Sequence, residues 1–277
     1  MKYTVYTGCT VPAMTPHYEA SALTVCDALG IELEVLHAPC CGNPLRPVSQ
    51  IDAVKMATYV LGLAAQKGHP VMTLCNACNG FLLEVQTHPD TLVLDQFSFD
   101  FDIKSLKIKH FIDILYEDIG VKTISSETNS LDITVAVHHG CHLFRPSTVY
   151  DKNYEYPCVL DELVEACGAK SLSYRHKSMC CGSPLIGVNI DTSLKMAGTK
   201  LSEVSGKVDA LVVSCPGCGI MYDQKQNRAS LTMDVPFDVP VLYYSQLLGL
   251  AMGIPVKKLG FSANRVKVDS VLKKVIP

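Results

Sequence analysis

The chain has no run of about 18 consecutive apolar residues, so no segment reads as a transmembrane helix. Its amino terminus, MKYTVYTGC, lacks the apolar core of a secretory signal. Charge is scarce too. Only 18% of the residues are charged, and the net charge is −3, which argues against nucleic acid as the main partner. An even set of cysteines is also missing. There are thirteen, and without a secretory leader a disulfide framework has no oxidising compartment in which to form. What is present is a 277-residue chain, 48% hydrophobic, long enough for one large core or two of about 130 to 140 residues. A domain of that size needs no covalent staples. The thiols are therefore expected to stay reduced in the cytoplasm, gathered for metal.

Ten of the thirteen cysteines fall in a doubled pattern. The first set is Cys9, Cys40, Cys41, Cys75 and Cys78, spaced C-x30-CC-x33-C-x2-C. The second is Cys141, Cys180, Cys181, Cys215 and Cys218, spaced C-x38-CC-x33-C-x2-C. From the adjacent pair onward the two sets repeat at an offset of 140 residues. The duplication divides the chain into two similar halves, 1–131 and 132–277, the second carrying a basic tail.

Periodicity places each cysteine element after a strand. Alternating apolar and polar residues give strands at 2–7, 31–36 and 71–74, with helices at 17–29, 49–66 and 77–86. A mostly helical stretch follows at 99–119, and 122–131 reads as a polar linker. The second half repeats the order. Strands are expected at 133–137, 171–174, 210–214 and 239–242, and helices at 158–166, 192–205, 216–227 and 244–252. The predicted class is α/β: two pseudo-symmetric repeats, each a small, largely parallel sheet with flanking helices. Sites in such sheets form outside the carboxyl ends of the strands. The five thiols of each half are therefore expected to converge there, with the halves related by a pseudo-twofold axis.

Four thiolates with one CxxC suit structural zinc or an iron–sulfur cluster. Each half offers five, and only one CxxC, where zinc ribbons usually pair two. Ligand number therefore favours iron–sulfur, with zinc or metal-free thiol redox as the alternatives. The glycine after each cysteine pair permits a sharp turn, so that two adjacent side chains can reach one group instead of facing opposite ways. Each CxxC opens a predicted helix, where free N–H groups and the dipole favour anionic sulfur.

The pattern, with Cys180-Cys181-Gly182-Ser183-Pro184-Leu185, His138-His139-Gly140-Cys141-His142, Arg145-Pro146-Ser147 and Cys215-Pro216-Gly217-Cys218, resembles the CCG cysteine-rich domain family, and within it the B subunits of heterodisulfide reductases. The resemblance covers essentially the whole chain. It implies two non-cubane 4Fe–4S clusters, one on each five-cysteine set. It also implies an electron-feeding C-type subunit with cubane clusters, itself supplied from a flavin-containing A-type subunit. The substrate it implies is a small-molecule disulfide, coenzyme M–coenzyme B in methanogenesis. On this reading a disulfide breaks between the two clusters, each sulfur is caught by one cluster iron, and further electrons with protons release two thiols. The same ten cysteines would serve an electron-transfer subunit of a lactate, glycolate, fumarate or quinone-linked oxidoreductase.

Four further residues are candidates. His138, His139 and His142 surround Cys141 and either hydrogen-bond cluster sulfur or backbone, tuning potential, or deliver protons. Arg145 either binds an anionic substrate group or sits in a surface ion pair. The second half carries eight extra residues before its cysteine pair, assigned to 147–156, as a pocket wall or a surface loop. Cys26, Cys158 and Cys167 lie outside the pattern and are expected to be buried structural thiols. The basic tail reads as a docking segment for an acidic partner face.

Overall fold

The computed structural model describes residues 1–88, 93, 97, 102–146, 150 and 157–276. Eight strands form two four-stranded sheets. β1 (Lys2–Tyr6), β2 (Glu32–Val35), β3 (Val71–Thr73) and β4 (Ile108–His110) lie in the order β2-β1-β3-β4. β5 (Thr134–His138), β6 (Lys170–Ser171), β7 (Ala210–Val213) and β8 (Val241–Tyr243) lie in the order β6-β5-β7-β8. All pairings are parallel. The central strands are covered on both faces, which is why β7 reads Ala-Leu-Val-Val with every residue buried. The α/β class and the repeated parallel sheets are as the sequence implied.

Three segments differ from expectation. The 99–119 stretch, whose residues 99–101 lie outside the described residues, is helical at Ile103–Ser105 and from Phe111 onward, but Ile108–His110 between them forms β4. These residues hydrogen-bond to the exposed edge of β3 in register Val71 to Ile108, and that long-range pairing decides their conformation. The 122–131 stretch is not a free linker. Val121–Ser126 is helical, and Asn129 N donates to Ala251 O at 2.7 Å. The 216 helix is also longer than read. It continues through a π-helical turn, Ile220–Gln224, into Gln226–Met233.

The repeat extends to the helix caps. Ser49 caps the helix Gln50–Ala65, and Asn189 caps Ile190–Val204, 140 residues later. The two halves share one core. Tyr18 stacks on Tyr243, with centroids 4.2 Å apart and planes 6° from parallel, and Ser21 Oγ meets Ser245 Oγ at 2.7 Å. Among the described residues no helix is long and apolar enough to cross a membrane.

The basic tail packs against the helix Pro16–Ala28 at its start and then folds back on its own half. The Asp223 carboxylate is buried and accepts backbone N–H groups of Arg265 (2.9 and 3.0 Å) and Val266 (2.8 Å), while Lys274 pairs with Asp209 at 2.6 Å. Lys257, Lys258, Lys267 and Lys273 stay exposed. Replacing Asp223 with Ala leaves two N–H groups without their charged acceptor. The loss is about 1–3 kcal/mol, and limited proteolysis should cut the 261–276 segment sooner than in the parent.

A buried run of ten thiols

Each cysteine is placed by the end of a strand or by the turn beyond it. Cys9 and Cys141 follow β1 and β5; Cys75 and Cys215 follow β3 and β7 and are the N-caps of the helices Asn76–Thr87 and Pro216–Gly219. The glycine preceding each upstream cysteine makes room for the others. A Cβ on Gly8 would stand 2.9 Å from Cys78 Sγ, and one on Gly140 would stand 2.6 Å from Asn76 Nδ2. After the cysteine pairs, Gly42 and Gly182 adopt φ of +87° and +89°. Both turns let the N–H of the glycine reach back to the first sulfur of its pair, at 3.5 Å to Cys40 and 3.4 Å to Cys180.

The ten sulfurs gather into one cluster whose members perturb one another's ionisation. In the first half Cys9 meets Cys40 at 3.5 Å and Cys41 meets Cys78 at 3.3 Å, with Cys40–Cys41 and Cys75–Cys78 thiol contacts joining them. In the second half Cys141 contacts Cys180, Cys180 contacts Cys181, Cys218 meets Cys181 at 3.5 Å, and Cys215 contacts Cys218. Across the boundary between the halves Cys75 and Cys215 are near enough to shift each other's ionisation. Both CxxC pairs are buried, whereas Cys9 is exposed and Cys40, Cys141 and Cys180 are half-buried.

Crowding splits the protons unevenly. Hydrogen bonds from Cys40 and then Cys78 push Cys41 down to about 4, and those from Cys141 and then Cys181 push Cys180 down to about 2. Cys215 is held well below the ordinary thiol range by Cys218 and Cys75, while Cys78 and Cys218 are driven up by their ionising neighbours and by burial. Ten thiolates cannot coexist in this space without positive charge among them. A metal–sulfur group supplies that charge, and the soft donor set suits it. His138 Nε2 and the Tyr222 hydroxyl are buried beside these sulfurs with no hydrogen-bond partner among the described residues, their rings edge-on to each other at 5.1 Å. The residues fit such a group.

The four other candidates are placed as follows. His138 is buried, and a ring nitrogen lies within 4.8 Å of both Cys181 and Cys218 sulfurs. Burial, and then Lys200 and His139, hold it neutral. His139 is held neutral by burial and then by Lys177 and Lys200; its Nε2 accepts the Leu160 N–H at 3.0 Å. The His139 carbonyl binds both halves, accepting from Asn76 Nδ2 and Ser214 Oγ at 2.7 Å each. His142 Nδ1 lies 3.4 Å from Cys141 Sγ. Arg145 is exposed and lines, with His138, His139, Cys141 and Lys177, a cavity of about 10 Å³, the room of roughly one water. The proposed insert at 147–156 lies outside the described residues apart from Tyr150, whose hydroxyl accepts from Asn79 Nδ2 at 2.8 Å. Of the three remaining cysteines, Cys26 and Cys167 are buried as expected; Cys158 is not, because it is the solvent-facing N-cap of Val159–Ala166.

One residue escaped the sequence reading. Lys200 is fully buried, and Tyr222 lies against its ammonium, 6.0 Å from Nζ to ring centroid. A signal existed for the lysine: Ala197, Leu201 and Val204 are the apolar face of its helix, and 3.6-residue spacing puts Lys200 on that face.

Comparison with known proteins agrees with this arrangement. A family model described as a cysteine-rich domain, CCG, matches residues 3–82 and 135–223. The chain is 34% identical to the B subunit of the ferredoxin:CoB-CoM heterodisulfide reductase of Methanosarcina mazei, over 99% of this chain and 97% of the relative. It is 31% identical to the B subunit of the ferredoxin/F(420)H(2)-dependent CoB-CoM heterodisulfide reductase of Methanosarcina acetivorans, with the same coverage. Among solved structures, a hypothetical protein from Helicobacter pylori has the same fold at a TM-score of 0.73 and 15% identity, over 96% of this chain and 52% of that one.

Proposed function

The chain belongs to the CCG cysteine-rich family, alongside heterodisulfide reductase B subunits, and from that premise we propose that it is the iron–sulfur catalytic subunit of a disulfide-reducing complex. Cys9, Cys40, Cys41, Cys75 and Cys78 hold one non-cubane 4Fe–4S cluster, and Cys141, Cys180, Cys181, Cys215 and Cys218 the other. The observation that carries this reading is the gathering of five thiols in each half, with sulfur contacts of 3.3 to 3.5 Å and both CxxC pairs buried. Its substrate is a small disulfide, coenzyme M–coenzyme B among the candidates. Its partners are a C-type subunit with cubane clusters and a flavin-containing A-type subunit, in the cytoplasm.

The clusters supply single electrons, two of which split a disulfide. The chain's own residues do the rest. The buried CxxC side excludes water, so the substrate approaches from the side of Cys9, Cys40, Cys141 and Cys180. His142 stands at Cys141, where a thiol product needs a proton, and Arg145 offers an anion contact at the mouth of the neighbouring cavity. His138 and His139, held neutral, act as hydrogen-bond groups that fix the sulfurs and the boundary between halves.

Anaerobic purification followed by metal analysis tests the reading. The expected result is about eight irons per chain with matching acid-labile sulfide. Turnover of a disulfide panel with reduced viologen dye then identifies the substrate. Stoichiometric zinc without iron would overturn the reading.

A further inference from the structure

The two halves repeat in backbone but not in charge. In the second, Lys200 on the helix Ile190–Val204 is fully buried, and its Nζ meets three acceptors: Lys177 O at 2.8 Å, Met179 O at 3.0 Å and His138 Nδ1 at 2.7 Å. An ammonium has three donors, and all three are used. An ammonium that donates to His138 Nδ1 leaves the ring proton on Nε2, which is buried without a partner among the described residues. The same ring reaches within 4.8 Å of Cys181 and Cys218. None of the three acceptors is a carboxylate. Burial pulls Lys200 down to about 7, and the largest influences opposing it are Cys218, Cys181 and Cys180, whose sulfurs are anionic once they hold a cluster and then keep the ammonium charged.

The corresponding positions of the first half are uncharged. The 140-residue offset matches Lys200 with Val60 and Tyr222 with Leu82; strand register matches His138 with Tyr6, both ending their strands opposite β3 and β7 at Thr73 and Val213. Val60, Tyr6 and Leu82 are all buried. Arg46, the nearby cation on that side, is neutralised by Glu84 through bonds of 2.9 and 2.8 Å.

We propose that Lys200 is the built-in counter-charge of the second cysteine set and that His138 carries its effect to the sulfurs, so that the second cluster is reduced at a higher potential than the first. Positive charge, relayed by the ring dipole of His138, favours the more negative, reduced state of an iron–sulfur site. Lys200 is a positioning and electrostatic residue; it does not touch substrate. The two clusters are thereby made unequal, and an arriving electron settles first on the second-half side. This inference rests on the cluster reading above.

The test is potentiometric titration of the anaerobically purified full chain, followed by electron paramagnetic resonance. Lys200→Met keeps much of the side-chain volume and removes the charge. At a fixed potential the reduced-to-oxidised ratio of the second cluster should fall about tenfold or more, equivalent to about 59 mV for one electron, with the first cluster unmoved. Lys200→Gln, which retains a donor without the charge, should give the same shift if the methionine variant does not fold. A measurement that leaves Lys200 intact assigns the order directly: Cys41→Ser removes the first cluster, and the signal that survives should be the higher-potential one of the parent. Unmoved potentials, equal movement of both, or survival of the lower-potential signal would overturn the inference alone. A parent chain without iron overturns the cluster reading and this inference with it.

Discussion

Cys181→Ser should lose the iron of the second cluster, about half of the total, and disulfide reduction with it; Cys41→Ser should do the same for the first. Both residues are the inward members of their pairs, nearly fully buried, and each links its half's outer thiols to the CxxC at the centre. A serine hydroxyl is a harder and far less acidic donor than the thiol it replaces. The fall in turnover should exceed the roughly 10–100-fold that follows loss of a residue merely supporting a metal ligand. Iron content is the decisive reading, since a purely structural defect would lower both halves together. Cys158→Ala is the matched control. Its thiol is exposed at a helix start and outside the run, so iron and turnover should be unchanged. Full activity in either serine variant would remove the two-cluster mechanism.

Much of this site is legible in the sequence because its parts are local and doubled. The strand, glycine and cysteine of 2–9 recur at 134–141, and the cysteine pair with its glycine recurs at a fixed offset, so spacing alone groups ten thiols into two sets. What spacing could not convey is the proximity of Cys75 to Cys215, which arises only when the two helix starts meet across the shared core. β4 was missed for a similar reason. Ile108–His110 is three residues long, and its strand state is imposed by pairing with β3. The anchoring of the basic tail was not legible either, because Asp223, a carboxylate, holds two backbone N–H groups from a segment some 42 residues away. Lys200 was legible in principle. A lysine at an apolar-face position is a conflict between local pattern and burial, and such conflicts mark functional sites.

The turn at Gly182 shows how backbone and chemistry are tied, and Gly182→Ala should be as damaging as loss of a ligand. Its φ of +89° is costly for any residue with a Cβ. The new methyl would also stand 2.5 Å from Ser193 O and 3.1 Å from Ser193 Cα, atoms of the Ile190–Val204 helix backbone that cannot swing aside. Ser193 is further tied to the turn, its hydroxyl donating to Gly182 O at 2.8 Å. Strain and overlap together should cost roughly 3 kcal/mol or more, and lower Tm by about 6 °C or more for a chain of this size. The alternative is for the turn to open, which withdraws the Gly182 N–H from Cys180 Sγ and moves Cys180 and Cys181 apart. Iron loss should then be confined to the second cluster. Gly206→Ala separates the two causes. Gly206 also has positive φ, +71°, but nothing lies within 4 Å of its would-be Cβ. It should lose about 1 kcal/mol of stability and keep all its iron. If Gly182→Ala behaves like Gly206→Ala, the turn only shapes the chain. Selective iron loss means that close packing of the glycine against the helix is what holds both sulfurs of the pair on one site.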